Sequence, residues 1–289
     1  MTTPAYAKWL VLPALALALA AVAPARPAAT AEPVIILAPH RAIYDLKLAK
    51  SHGTRSIESV RGRILYDFSG NACEGYALQF RQVSELDSGE GKSALSDLRS
   101  TTWEDAAAKK FRSNSENLLN DQQTDAVDGH AERNAQAVSV SLNKPQEKKF
   151  DEPVNAVFPT EHMRRIIEAA REGKTILSFP VYDGSESGEK LYNTLTVIGR
   201  AIPPGSKPVD DAGADVPALA KLTRWPVTIS YFDRESAQKQ QTGEQTPVYA
   251  IGFELYENGI SRALTLDYTD FTISGKMTSL EMKKETPCK

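Results

Sequence analysis

The side chains of this 289-residue chain best suited to chemistry are few: two cysteines, four histidines and scattered carboxylates. Cys73 and Cys288 stand 215 positions apart, which is not the close spacing of a redox-active C-x-x-C pair. His40, His52, His130 and His162 form no H-E-x-x-H or related ligand pair, so neither a metal site nor a cofactor is expected. His162, within Thr160-Glu161-His162, is the best placed for catalysis, yet a packing or local hydrogen-bonding role at a helix start explains it more simply. No G-x-S-x-G elbow is present for a serine hydrolase. Asp267 and Asp270 would make an acid and base pair for glycan cleavage only if a bulge brought them together, because strand positions three apart face opposite ways. Asp183-Gly184-Ser185 reads as a polar turn. No catalytic residue is therefore expected, and the chain is read as a non-enzyme.

What positions these side chains begins after the first 31 residues. Lys8 ends a weakly basic start, Trp9 to Ala23 form an apolar stretch, and Ala29-Thr30-Ala31 offers small residues before Glu32. That is the layout of a secretory signal peptide cleaved after Ala31. The stretch is short for a membrane span and carries Pro13 and flanking Pro24, so no span is expected after cleavage. Export would expose the thiols to an oxidising compartment, where Cys73 and Cys288 have only each other for an intramolecular bridge. Closing so long a loop is worth about 5 kcal/mol in the chain-entropy model. Removing residues 1–31 takes away Lys8 and Arg26 and no acid, leaving 32 basic against 37 acidic side chains, a formal charge of −5. That balance gives no electrostatic reason to bind nucleic acid.

Residues 32–289 read as one large all-β domain. Tyr44, Leu46 and Leu48 alternate with less apolar neighbours; Val60, Gly62, Ile64, Tyr66 and Phe68 share one parity, as do Tyr76, Leu78 and Phe80. The pattern returns at Val138, Val140 and Leu142, at Leu191, Leu195 and Val197, at Val227, Ile229 and Tyr231, at Leu264, Leu266 and Tyr268, and at Phe271 and Ile273. Such alternation marks strands with one buried face. With helical crossovers almost absent, the sheet is expected to be large and mainly antiparallel. Asn258-Gly259 between two strand-like runs predicts a hairpin with a type I′ turn. One helix is expected over about 161–172, capped by Thr160 and closed by Gly173, with Met163, Ile166, Ile167 and Ala170 as its apolar stripe. Mobile loops are expected at about 84–96 and 203–220.

Several phrases then resemble one family. Trp103-Glu104-Asp105 with Phe111-Arg112, Phe158-Pro159-Thr160-Glu161-His162, Val181-Tyr182-Asp183-Gly184-Ser185-Glu186 and Val197-Ile198-Gly199 come first. Trp225-Pro226-Val227, Ser230-Tyr231-Phe232, Leu255-Tyr256-Glu257-Asn258-Gly259 and Leu266-Asp267-Tyr268-x-Asp270-Phe271 follow, closing with Cys288. In order and spacing they resemble the EipB-like family of bacterial cell-envelope integrity proteins. The resemblance implies a periplasmic protein folded as a curled antiparallel sheet, a β-spiral or open barrel, around one central helix, with a disulfide joining early and late segments. It implies a role in envelope integrity rather than a known reaction.

Two readings follow, with a third behind them. An interaction scaffold would engage an envelope protein through an exposed sheet surface or edge. A carrier would hold lipid or a hydrophobic peptide in an open-barrel cavity. A peptidoglycan-acting hydrolase is the third. Inward-facing apolar residues serve a filled core and a cavity equally, so sequence does not choose between the first two.

Overall fold

The computed structural model describes residues 35–52, 57–89, 91–206, 211–234 and 245–288. The expected signal peptide, 1–31, lies outside them. From the start of the described chain the alternation builds a long meander: β1 (His40–Ser51), β2 (Ser59–Asn71), β3 (Gly75–Asp87), β4 (Ser93–Glu104), β5 (Lys110–Leu119), β6 (Gln122–Arg133), β7 (Ala137–Lys144) and β8 (Lys148–Pro153). Helix α1 (Pro159–Arg171) interrupts it. The chain then returns through β9 (Ile176–Val181), β10 (Tyr192–Ile198), β11 (Arg224–Asp233), β12 (Tyr249–Tyr256), β13 (Ser261–Tyr268) and β14 (Phe271–Met282). All fourteen form one sheet in the order β8-β7-β6-β5-β4-β3-β2-β1-β14-β13-β12-β11-β10-β9. Every strand pairing in it is antiparallel. The fold is thus mainly β, an open sheet around a helix: β8 and β9 are its two edges, and β14 pairs with β1 to join the halves.

Helix α1 follows from an apolar stripe that needs cover. Ile166 and Ile167 are fully buried against Phe68, Tyr76, Ile198, Trp225, Ile229 and Leu255 from strands of both halves. A second cluster gathers Tyr44, Leu46, Ile64, Ile260 and Met277, and a third gathers Phe111, Val127, Val140, Phe158 and Tyr182. The helix starts two residues earlier than expected, with Phe158 in place of Thr160 at the N-cap and Pro159 in the first turn, and no side chain of the helix caps it. Its other end closes through Gly173 at φ 76°. There Gly173 N donates to Ala170 O and Lys174 N to Ala169 O, the two bonds of a Schellman motif.

Three local expectations change. The Asn258-Gly259 hairpin forms, but Tyr256 N bonds Ile260 O across a three-residue loop, and only Gly259 has positive φ, at 87°. This is a turn followed by a glycine bulge instead of type I′, whose two central residues both need positive φ. Most of 84–96 is not a loop, since Ser84 pairs with Ser96 and Asp87 with Ser93 in the β3–β4 hairpin. Within 203–220, residues 207–210 lie outside the described chain, and 211–220 are docked. There Ala214 and Leu219 are buried in the second cluster, and α2 (Pro217–Ala220) is one short turn.

The reason for that docking is a split in the sheet. β13 pairs with β14 only from Leu264/Gly275 to Asp267/Thr272, so the two strands diverge beyond Gly275. Asp211, 3% exposed, fills the fork. Its carboxylate accepts from Met277 N on one side, and from Ala263 N and Arg262 Nε, both at 2.9 Å, on the other. Arg262 also donates to Glu254 at 2.5 Å, and Arg224 donates to the same oxygen at 2.6 Å. A loop without periodicity becomes ordered because one carboxylate satisfies backbone donors that the split would leave orphaned.

Candidate functional site

Of the sequence-predicted candidates, His52, Asp267 and Asp270 meet at the β13–β14 turn, and the others fall in separate places. His40 is buried, stacked on Tyr66 with centroids 5.4 Å apart, and its Nδ1 lies 2.8 Å from Ala38 O. Burial lowers its pKa. His52 approaches Asp267 at 3.7 Å. His130 is exposed on β6. Asp267 accepts from Thr272 Oγ1 at 2.8 Å across the β13–β14 turn, and Asp270 offers its backbone carbonyl to His52 N. The two aspartates are not brought together as an acid and base pair. Cys73 and Cys288 are joined as a disulfide with Cα atoms 5.7 Å apart, and Asn71 Oδ1 holds that turn by accepting from Cys73 N and Glu74 N. Among the described residues no group of three or more His, Cys, Asp or Glu is placed to hold a metal ion.

His162 lies inside, on the first turn of α1. Its ring meets Phe179 edge-on at 6.0 Å, and Nε2 is 3.5 Å from Thr196 Oγ1. Burial lowers its pKa to about 4, which keeps it neutral and packed. The residue that sequence reasoning missed is Glu104, 2% exposed on the inner face of β4. Its two oxygens accept from Thr160 N at 2.7 Å and Glu161 N at 2.8 Å, with Arg164 at 3.7 Å. A carboxylate from another strand thus caps the helix. Burial, opposed by these partners, raises Glu104 to about 7. One signal was available: Phe158 and Pro159 offer no side-chain acceptor, so the first amides of α1 had to find one elsewhere. Below the cap, Arg133 and Arg165 both pair with Glu161, at 2.8 and 2.6 Å.

Where the sheet fails to close, between β8 and β9, three features converge. A loop crosses the seam first: Val157 bridges Val181 in parallel, Tyr182 Oη donates to Gly188 O at 2.8 Å, and Tyr192 Oη donates to Glu186 at 2.5 Å. Gly184, at φ 68°, has no room for a Cβ against Ser113. Among the described residues no cation pairs with the half-buried Asp183; burial raises its pKa, and its carboxylate accepts from Ser185 N at 2.9 Å. Tyr231 and Tyr249, stacked at 4.5 Å, stand beside Tyr192. Ion pairs are the second feature: Lys148 with Glu189 and the partly buried Lys190 with Asp233 at 2.6 Å, over a recess of about 450 Å³ that also touches Asp151, Glu152 and Arg234.

The third feature is the free edge of β9. Val157 N donates to Pro180 O, Tyr182 N donates to Val157 O, and Ile198 N donates to Thr175 O. Even-numbered residues of β9 therefore turn their backbone groups away from β10. Ile176 and Ser178 present theirs to solvent, and both side chains are exposed. On the outer face Ile176, 64% exposed, lies opposite Val197, with Leu195 opposite Ser178. Ile176, Leu195 and Val197 make an apolar strip along an unpaired edge.

Some apolar side chains around the clusters are only partly covered. Tyr66, Leu78, Phe80, Ile251 and Leu264 pack on the clusters yet stay partly exposed.

Comparisons with known proteins agree with this architecture. The model of the EipB-like family matches residues 31–284. A curated relative, the cell envelope integrity protein EipB of Brucella abortus (strain 2308), is 37% identical over 267 residues, covering 90% of this chain and 91% of the relative. A crystal structure of a beta-barrel-like protein of a domain of unknown function, also from Brucella abortus, superposes with a TM-score of 0.77 at 35% identity, covering 86% of this chain and 99% of that one. The chain belongs to the EipB-like family.

Proposed function

We propose that this protein is a non-enzymatic periplasmic scaffold that supports cell-envelope integrity, and that its working surface is the free β9 edge with the strip of Ile176, Leu195 and Val197. The carrying observation is that edge: two residues with outward backbone groups beside exposed apolar side chains, in a sheet whose other split is stitched shut. The relative's name, cell envelope integrity protein, supports the setting. An unpaired strand edge templates strand addition, with main-chain bonds giving affinity and alternate side chains giving specificity. The groups that looked suited to catalysis have structural contacts: His162 packs on Phe179, and Asp267 accepts from Thr272 Oγ1. The occupant is an extended polypeptide segment with alternating apolar residues. A photo-cross-linker at position 176 should give a discrete adduct with an envelope protein in cells, and one at Met282 on β14, five strands away in the sheet order, should not; equal labelling from both contradicts the reading.

A carrier of lipid or hydrophobic peptide is the second reading, favoured by the partly exposed Tyr66, Leu78, Phe80, Ile251 and Leu264 on the inner wall. Native mass spectrometry of protein taken from the envelope separates the two: a reproducible bound lipid supports the carrier, and a clean apo mass supports the scaffold.

A further inference from the structure

The outer face of β4 to β7, remote in the sheet order from the β9 edge, carries a recess of about 540 Å³. Its floor is a grid set by strand register. Trp103 lies opposite Arg112, and Arg112 opposite His130; one row away, Thr101 lies opposite Asn114, and Asn114 opposite Asp128. Neighbouring strands are about 4.8 Å apart, so each row spans roughly 10 Å, the length of a short oligosaccharide. Trp103 is half-buried and points outward because its neighbour Glu104 turns inward to cap α1.

We infer that this recess binds a neutral oligosaccharide. Charge decides against an anionic or cationic ligand: Lys110 approaches Glu132 at 3.8 Å, and Arg112 and Asp128 balance each other's charge. What remains is an indole beside planar polar groups. The apolar face of a pyranose packs against indole, and its hydroxyls accept from amide and guanidinium N–H groups while donating to carboxylate and amide oxygens. Asn143 Nδ2 already donates to Asp128 at 3.1 Å, which orients that carboxylate. Among the described residues Arg112, Asn114 and His130 make no side-chain hydrogen bond or ion pair to other residues. The guanidinium of Arg112 lies 5.6 Å from the Trp103 ring centroid, near the limit of a cation–π contact, and can turn its donors to a ligand. A shallow concave surface with a few convergent polar groups is the form such sites take.

The test is a titration of the protein with tetrasaccharides of N-acetylglucosamine and of glucose, read by the indole N–H resonance of Trp103 and by calorimetry. At least one should bind saturably and shift that resonance while leaving the buried Trp225 unmoved. Trp103→Ala should weaken binding by about tenfold or more. Asn114→Ala, at an exposed position where folding is not at stake, should weaken it several-fold with an unchanged melting curve. No saturable binding by either sugar, or binding unaffected by both substitutions, overturns the proposal. So does stronger competition by a highly sulfated polysaccharide than by the neutral sugars, since that would mark an anion site.

Discussion

The sheet comes apart in two places, and the protein treats them oppositely. At the β13–β14 split, Asp211 reaches into the fork and is held by Arg262, which shares Glu254 with Arg224. Asp211 and Arg262 are both nearly fully buried. At the seam between β8 and β9 the connections are a crossing loop, the exposed Lys148–Glu189 pair and the partly buried Lys190–Asp233 pair, and the amides of Ile176 and Ser178 face solvent. Buried charges must be paired or the fold fails, whereas exposed pairs contribute little. The stitched split is a structural repair, and the seam is left free for use.

Breaking the stitched side should cost most. Arg262→Ala leaves Asp211 as a buried charge short of a partner, and a loss of about 3–5 kcal/mol is expected in denaturant unfolding. Loss below about 1 kcal/mol would show that the wedge is dispensable. The disulfide ties the β2–β3 turn to the tail beyond β14. Cys73→Ser and Cys288→Ser should each cost about 2–4 kcal/mol, and the double variant no more, since all three remove one link. Unequal losses in thermal melts would contradict this.

The helix mouth sharpens the comparison through pH. Glu104 is raised from 4.5 to about 7, so its contribution to stability is full below pH 4.5 and is lost as pH rises towards 7. His162 is lowered from 6.5 to about 4, so its contribution is full above 6.5 and is lost as pH falls towards 4. The slopes oppose each other between 4.5 and 6.5. Relative to wild type, Glu104→Gln should become less stable on acidification across that window, and His162→Leu less stable on alkalinisation. Each difference should be on the order of 2 kcal/mol in urea melts at stepped pH. Parallel curves would remove the assignment. Smallest of all, Lys148→Ala at the open seam should change stability by no more than about 0.5–1 kcal/mol. A larger loss would mean that the seam, too, is held shut.

How much of this the sequence disclosed depends on the range of the interactions. Period-two alternation in Val60 to Phe68 or Tyr76 to Phe80 is local, and it returned strands; the stripe of Ile166 and Ile167 returned the helix. The family phrases Trp103-Glu104-Asp105 and Thr160-Glu161-His162 were visible, but their meeting was not, because Glu104 caps amides more than fifty residues away. The wedge was invisible for the same reason. Nothing near Asp211 shows that Met277 and Ala263 will present orphaned donors. The β9 edge was not read at all: no alternation was picked out over 176–181, and which strands end a sheet is decided by every other pairing.

The central claim, that the free β9 edge is the working surface, is tested most directly by Ser178→Pro. Proline removes the outward N–H of that residue, leaves the β10 ladder intact and is tolerated on edge strands. The protein should melt as wild type does, lose its cross-linked partner and fail to restore envelope integrity to cells lacking the native copy, while Ser178→Thr restores it. Full restoration by a stably folded Ser178→Pro protein would contradict the account.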